Sequence, residues 1–136
     1  MHTLLSKTYL QAMVTGYTAC ALWSSNDEST EDGGEPMDQN YGPDDITPES
    51  RVKMFEDCAN FMTTAFSTLS DLEADISYDT LPPEQVGHDF WLTRNGHGAG
   101  FWDRCLDHYG DTLTDMCVPY GESDLYVGDD KKLHIN

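Results

Sequence analysis

Apolar residues recur along the chain with the periods of secondary structure. Within residues 5–23, Leu10, Met13, Val14, Tyr17 and Ala21 fall three or four apart, which is one face of an amphipathic helix. Val52, Phe55, Ala59, Met62, Phe66 and Leu69 repeat the pattern, widened by Cys58 and Ala65, and predict a second helix. Its start is marked by Thr47-Pro48-Glu49-Ser50, with Thr47 as N-cap, Pro48 in the first helical position and Glu49 near the positive end of the dipole. From Gly87 the texture changes. Residues 88–93 are aromatic and β-prone, 94–98 supply turn chemistry and 99–102 resume, so the segment reads as a β-hairpin. Alternation then puts Phe90 and Trp91 on opposite faces. Leu106, Tyr109, Leu113, Met116 and Tyr120 predict a third helix, in which Gly110 costs about 1 kcal/mol relative to Ala. Asp124-Leu125-Tyr126-Val127 and Leu133-His134-Ile135, around a Gly128-Asp129-Asp130-Lys131 turn, predict a closing hairpin.

Two stretches break these periods. Residues 24–47 carry Asp27, Glu28, Glu31, Asp32, Glu35, Asp38, Asp44 and Asp45 with Gly33, Gly34, Pro36 and Pro43, and no Lys or Arg. This reads as a long acidic loop, either functional or mobile. Residues 71–83 form a second acidic connection ending in Pro82-Pro83, a pair that neither helix nor central strand accepts. A chain of 136 residues supports one domain. The expected fold is α+β: two N-terminal helices, a β-hairpin, a third helix and a C-terminal hairpin completing a small antiparallel sheet.

Charge narrows the function more than the pattern does. With 25 Asp and Glu against 7 Lys and Arg, the formal charge is −18, which disfavours direct binding to nucleic acid or an anionic membrane and favours a basic partner. The first 23 residues lack the charged start and uninterrupted apolar run of a signal peptide, so cytoplasmic residence is expected. Cys20, Cys58, Cys105 and Cys117 are widely spaced within apolar stretches and read as reduced, buried thiols.

Three groups of residues carry candidate chemistry. Asp103, Asp107, Asp111 and Asp115 stand at four-residue steps, about 6 Å apart along a helix axis, which is of the order of the phosphate spacing on a nucleic-acid strand. Like charges at that spacing destabilise a helix by roughly 0.2–0.5 kcal/mol per pair. The row is either a phosphate mimic or the solvated face of a very acidic protein, and Asp44 and Asp45 would extend it. Of opposite sign, His88, Arg94, His97, Arg104 and His108 cluster around a Gly-rich turn. Arg94, His97 and Arg104 could hold a phosphate there, and His88 or His97 could pair with Asp103 in acid–base chemistry. Alternatively Arg94 and Arg104 neutralise Asp89 and Asp103. Cys105 and His108 are spaced as metal ligands but lack a second close pair, so no metal or cofactor is expected.

The run Gly87-His88-Asp89-Phe90-Trp91-Leu92-Thr93-Arg94-Asn95-Gly96-His97-Gly98-Ala99-Gly100-Phe101-Trp102-Asp103-Arg104 resembles the signature of a family of small acidic proteins encoded by tailed bacteriophages and prophages. The resemblance extends to residues 35–41, 44–49 and 124–130; Cys105 stands where that pattern has Gly, and the acidic stretch after Trp23 is longer. It implies a phage origin and expression in the cytoplasm of a bacterial host, and supplies no catalytic residue. Together with the charge it leads to an inhibitory binding protein directed at a basic, nucleic-acid-binding host protein, more a binder than an enzyme. The alternatives are a phosphate- or nucleotide-binding module at the Arg94/His97 turn, and acidity that serves solubility in a salt-rich habitat.

Overall fold

The computed structural model describes residues 7–27, 34–71, 81–96 and 109–135. Among these, four helices and two small antiparallel hairpins make an α+β fold. Helix α1 spans Lys7–Ser24, α2 Pro48–Asp71, α3 Pro83–Arg94 and α4 Tyr109–Cys117. Strands β1 (Asn26–Asp27) and β2 (Glu35–Pro36) pair with each other, and β3 (Leu125–Val127) pairs with β4 (Leu133–Ile135).

The first two helices follow their predicted spans. In α1 Leu10, Met13, Tyr17 and Ala21 of the expected face are buried and Val14 partly so, and Tyr9, Cys20 and Leu22 are buried as well, so the helix is enclosed on more than one side. Helix α2 starts at the predicted cap: Thr47 Oγ1 accepts the Ser50 N–H at 3.3 Å. Its buried stripe is Met54, Cys58, Phe61, Met62, Ala65, Phe66 and Leu69. Val52 and Phe55, expected on that stripe, are 56 % and 42 % exposed. The first turns of α2 are seated through Ser50 and Met54 instead, which are buried.

The 88–93 segment overturns the predicted strand, because it lies inside α3. Pro82 is extended and Pro83 opens the helix, so the proline pair is a start signal; Glu84 occupies the first turn and Arg94 the last, both matched to the dipole. Eight of its twelve residues are buried, the polar Asp89 and Arg94 among them, and it packs chiefly against α1, with further contacts to α4 and, through Phe90 on Phe61 and Arg94 on Asp57, to α2. Such burial removes the amphipathic period and overrides the β-propensity of its aromatics. Phe90 and Trp91 are therefore both buried rather than on opposite faces of a strand. Phe90 stacks on Phe61 with centroids 4.3 Å apart, and Tyr17 meets Phe90 and Trp91 at 5.3 Å each. The expected second strand, 99–102, lies outside the described residues.

Helices α1 and α3 cross backbone to backbone. A Cβ on Gly16 would run into the Glu84 carbonyl, and one on Gly87 into the Met13 carbonyl and, at 2.7 Å, the Tyr17 nitrogen. Glycine on both sides creates the notch, so Gly87 trades helix propensity for a close approach that any side chain would prevent.

The described part of the acidic 24–47 segment is folded onto the body. Met37 is fully buried, its N–H donates to the Ser25 carbonyl at 2.8 Å, and short 3-10 turns occupy Met37–Gln39 and Pro43–Asp45. The closing hairpin forms as predicted, with Leu125 opposite Ile135 and Val127 opposite Leu133. It docks on the start of α2, where the Leu133 carbonyl accepts the Thr47 N–H (3.0 Å) and Ser50 Oγ accepts the Ile135 N–H (3.0 Å).

Candidate functional site

Helix α4 carries the described half of the aspartate row. Leu113 and Cys117 turn inward and are buried, while Asp111 and Asp115 are exposed on the opposite side. Four residues of helix separate them by about 6 Å along the axis. Neither forms an ion pair among the described residues, so the like charges face solvent together. Val118, one turn beyond Asp115, is 74 % exposed. Asp103 and Asp107 lie outside the described residues. The described part of α4 starts at Tyr109, and Gly110 beside it is buried.

Asp44 and Asp45 are exposed in the turn before α2. They are not equivalent. Asp45 Oδ2 accepts the Gly42 N–H at 2.8 Å, which closes the turn, whereas the Asp44 carbonyl accepts Arg51 Nη2 at 3.0 Å and leaves the Asp44 side chain outward.

Arg94 is internal. Its guanidinium donates from Nη1 to Asp57 Oδ2 (2.8 Å) and Tyr17 Oη (2.9 Å), from Nη2 to the Tyr120 carbonyl (2.9 Å) and from Nε to the Gly121 carbonyl (2.9 Å). The cation also lies 5.6 Å from the Phe90 centroid and 5.8 Å from that of Tyr120. Burial opposes its charge, but Tyr17 and Asp57 more than offset this and hold the guanidinium protonated. In the same pocket burial pushes the Tyr17 hydroxyl well above the ordinary tyrosine range, against the lowering influence of Arg94. The expected role of Arg94 in binding an outside anion is thus corrected: Asp57 already occupies that position, and Arg94 ties α1, α2 and α3 to the chain after α4. Its partner is Asp57 rather than the neighbouring Asp89, which is buried and accepts Gln85 Nε2 at 2.9 Å. His97, Arg104 and His108 lie outside the described residues.

Sequence reading missed Asp57. Its signal is an acid at the third position of a Met54–Cys58–Phe61 apolar stripe, a place that calls for a buried partner. His88 stacks beside exposed Trp23 with centroids 6.0 Å apart, and its Nδ1 stands 3.7 Å from Asp89 without a hydrogen-bond partner.

The described cysteines, Cys20, Cys58 and Cys117, are free and buried. Burial pushes the thiols of Cys20 and Cys117 up to about 12, and that of Cys58 up as well, which disfavours the thiolate a nucleophile or metal ligand needs. Cys105 is outside the described residues. Among those described, no three His, Cys, Asp or Glu side chains converge as a metal site requires, and no helix is long and apolar enough to cross a membrane.

Comparison of the chain with models of protein families, with curated proteins and with solved structures gives no match.

Proposed function

We propose that this protein is a phage-encoded inhibitor that acts in the host cytoplasm by occupying a basic, nucleic-acid-binding host protein, its carboxylates standing in for backbone phosphates. The observation that carries this reading is the outward face of α4, where Asp111 and Asp115 are exposed at a phosphate-like spacing with no cation held against them among the described residues. Asp103 and Asp107 continue the row along the sequence, and the side chain of Asp44 with the remaining oxygen of Asp45 adds charge before α2. A formal charge of −18 accelerates encounter with a basic groove and repels nucleic acid itself. The competing module at the Arg94/His97 turn loses support because Arg94 is internal.

The test is affinity capture from a bacterial host lysate at low salt, repeated at about 0.5 M salt, where exposed charges are strongly screened. One nucleic-acid-binding protein, released by added DNA or RNA, is the expected result. The double variant D111N/D115N should keep the wild-type melting temperature and bind that protein at least tenfold more weakly. Unchanged affinity in the variant would refute the role of the row. Many basic proteins released together at high salt would refute specific mimicry.

A further inference from the structure

A groove lies between α1, the Pro43–Asp45 turn and the first turns of α2. Its volume is about 290 Å³. Val14, Ile46 and Met54 form its apolar part, with Ile46 and Met54 themselves buried, and small Ala19 with Pro43 leaves it open to solvent. Arg51 is the one charged side chain in the wall. Its Nε donates to the Ile46 carbonyl at 2.9 Å and its Nη2 to the Asp44 carbonyl at 3.0 Å, which fixes the guanidinium plane at the mouth. Nη1 has no partner among the described residues. One of the neighbouring carboxylates, Asp45, is engaged by the Gly42 N–H.

We infer that this groove binds a small amphiphilic monocarboxylate, with its apolar body over Val14, Ile46 and Met54 and its carboxylate on Arg51. An apolar cleft with one fixed polar group is the usual form of a small-ligand site, and this volume is at the low end of such sites, suited to a body of about six to ten carbons. A guanidinium with a free edge matches a carboxylate, and its pinned plane reduces the ordering cost of binding. The field of a protein at −18 disfavours polyanions such as nucleoside triphosphates. No groove residue belongs to the aspartate row, so this site stands or falls independently of the function proposed above.

Octanoate is the probe, with octanol as its uncharged counterpart, titrated while the methyl resonances of Val14, Ile46 and Met54 are followed by NMR. Octanoate should shift these methyls saturably with a Kd of about 1 mM or below, and octanol should bind at least tenfold more weakly. R51Q should bring octanoate to the level of octanol and leave octanol unchanged. Because Arg51 also braces the turn, a second variant, A19L, fills the groove from an exposed position; it should abolish both sets of shifts while keeping the wild-type melting temperature. Absence of saturable shifts, equal binding of octanoate and octanol, or binding that survives A19L would overturn the inference.

Discussion

Replacing Arg94 with Met keeps most of the apolar stem and removes every guanidinium contact. Asp57, whose side chain is 23 % exposed, would then be left beside Tyr17 without its cation, and the carbonyls of Tyr120 and Gly121 would lose their donors. Breaking a buried pair by removing one partner costs about 3–5 kcal/mol, and each orphaned acceptor adds about 1–3 kcal/mol unless water reaches it. Asp57 and the exposed Gly121 are open enough to admit water, so R94M should cost about 4 kcal/mol, or roughly 10–20 °C in melting temperature. Urea unfolding followed by circular dichroism measures it. D57N, which keeps an acceptor for Arg94 and removes the charge, should cost about half as much. In the R94M background D57N should recover about 1 kcal/mol, because it neutralises the stranded carboxylate. A loss below 1 kcal/mol in R94M, or phosphate binding that disappears only in that variant, would refute the assignment of Arg94 as an internal clasp and return it to the anion-binding role.

The glycine notch predicts that G87A and G16A each destabilise by about 2–3 kcal/mol although Ala gains about 1 kcal/mol of helix propensity, since the new methyl meets backbone that cannot swing aside. Melting temperatures that rise in either variant would show that the crossing is looser than described. Stability should also fall steeply in alkali. Cys20 and Cys117 ionise near 9 when unfolded but are held neutral to about 12 when folded, so their contribution is complete below pH 9 and is lost as pH rises toward 12. Each thiol contributes a slope of about 1.4 kcal/mol per pH unit in that window, and the raised Cys58 and Tyr17 act in the same direction. Urea titrations at pH 8, 9.5 and 10.5 check this; a flat profile would contradict the burial of the thiols.

The elements legible in the sequence are those whose signals are local. The stripe on α1, the Thr47–Pro48 start of α2 and the alternation around the Gly128 turn each depend on residues a few positions apart, and each appears where the pattern put it. The outward direction of Asp111 and Asp115 was legible for the same reason, because Leu113 and Cys117 define the opposite side of one short helix. The sequence by itself also determined the net charge of −18. Tertiary structure decided the rest. Residues 88–93 carry β-prone aromatics, yet packing against α1, α4 and Phe61 of α2 encloses them as a helix. Arg94 finds Asp57 thirty-seven positions away, a pairing that no local rule ranks above Asp89 in the same helix. Met37 anchors what composition alone reads as a loop. In each case the energy comes from contacts between segments distant in the chain, which become visible only once the helices are in place.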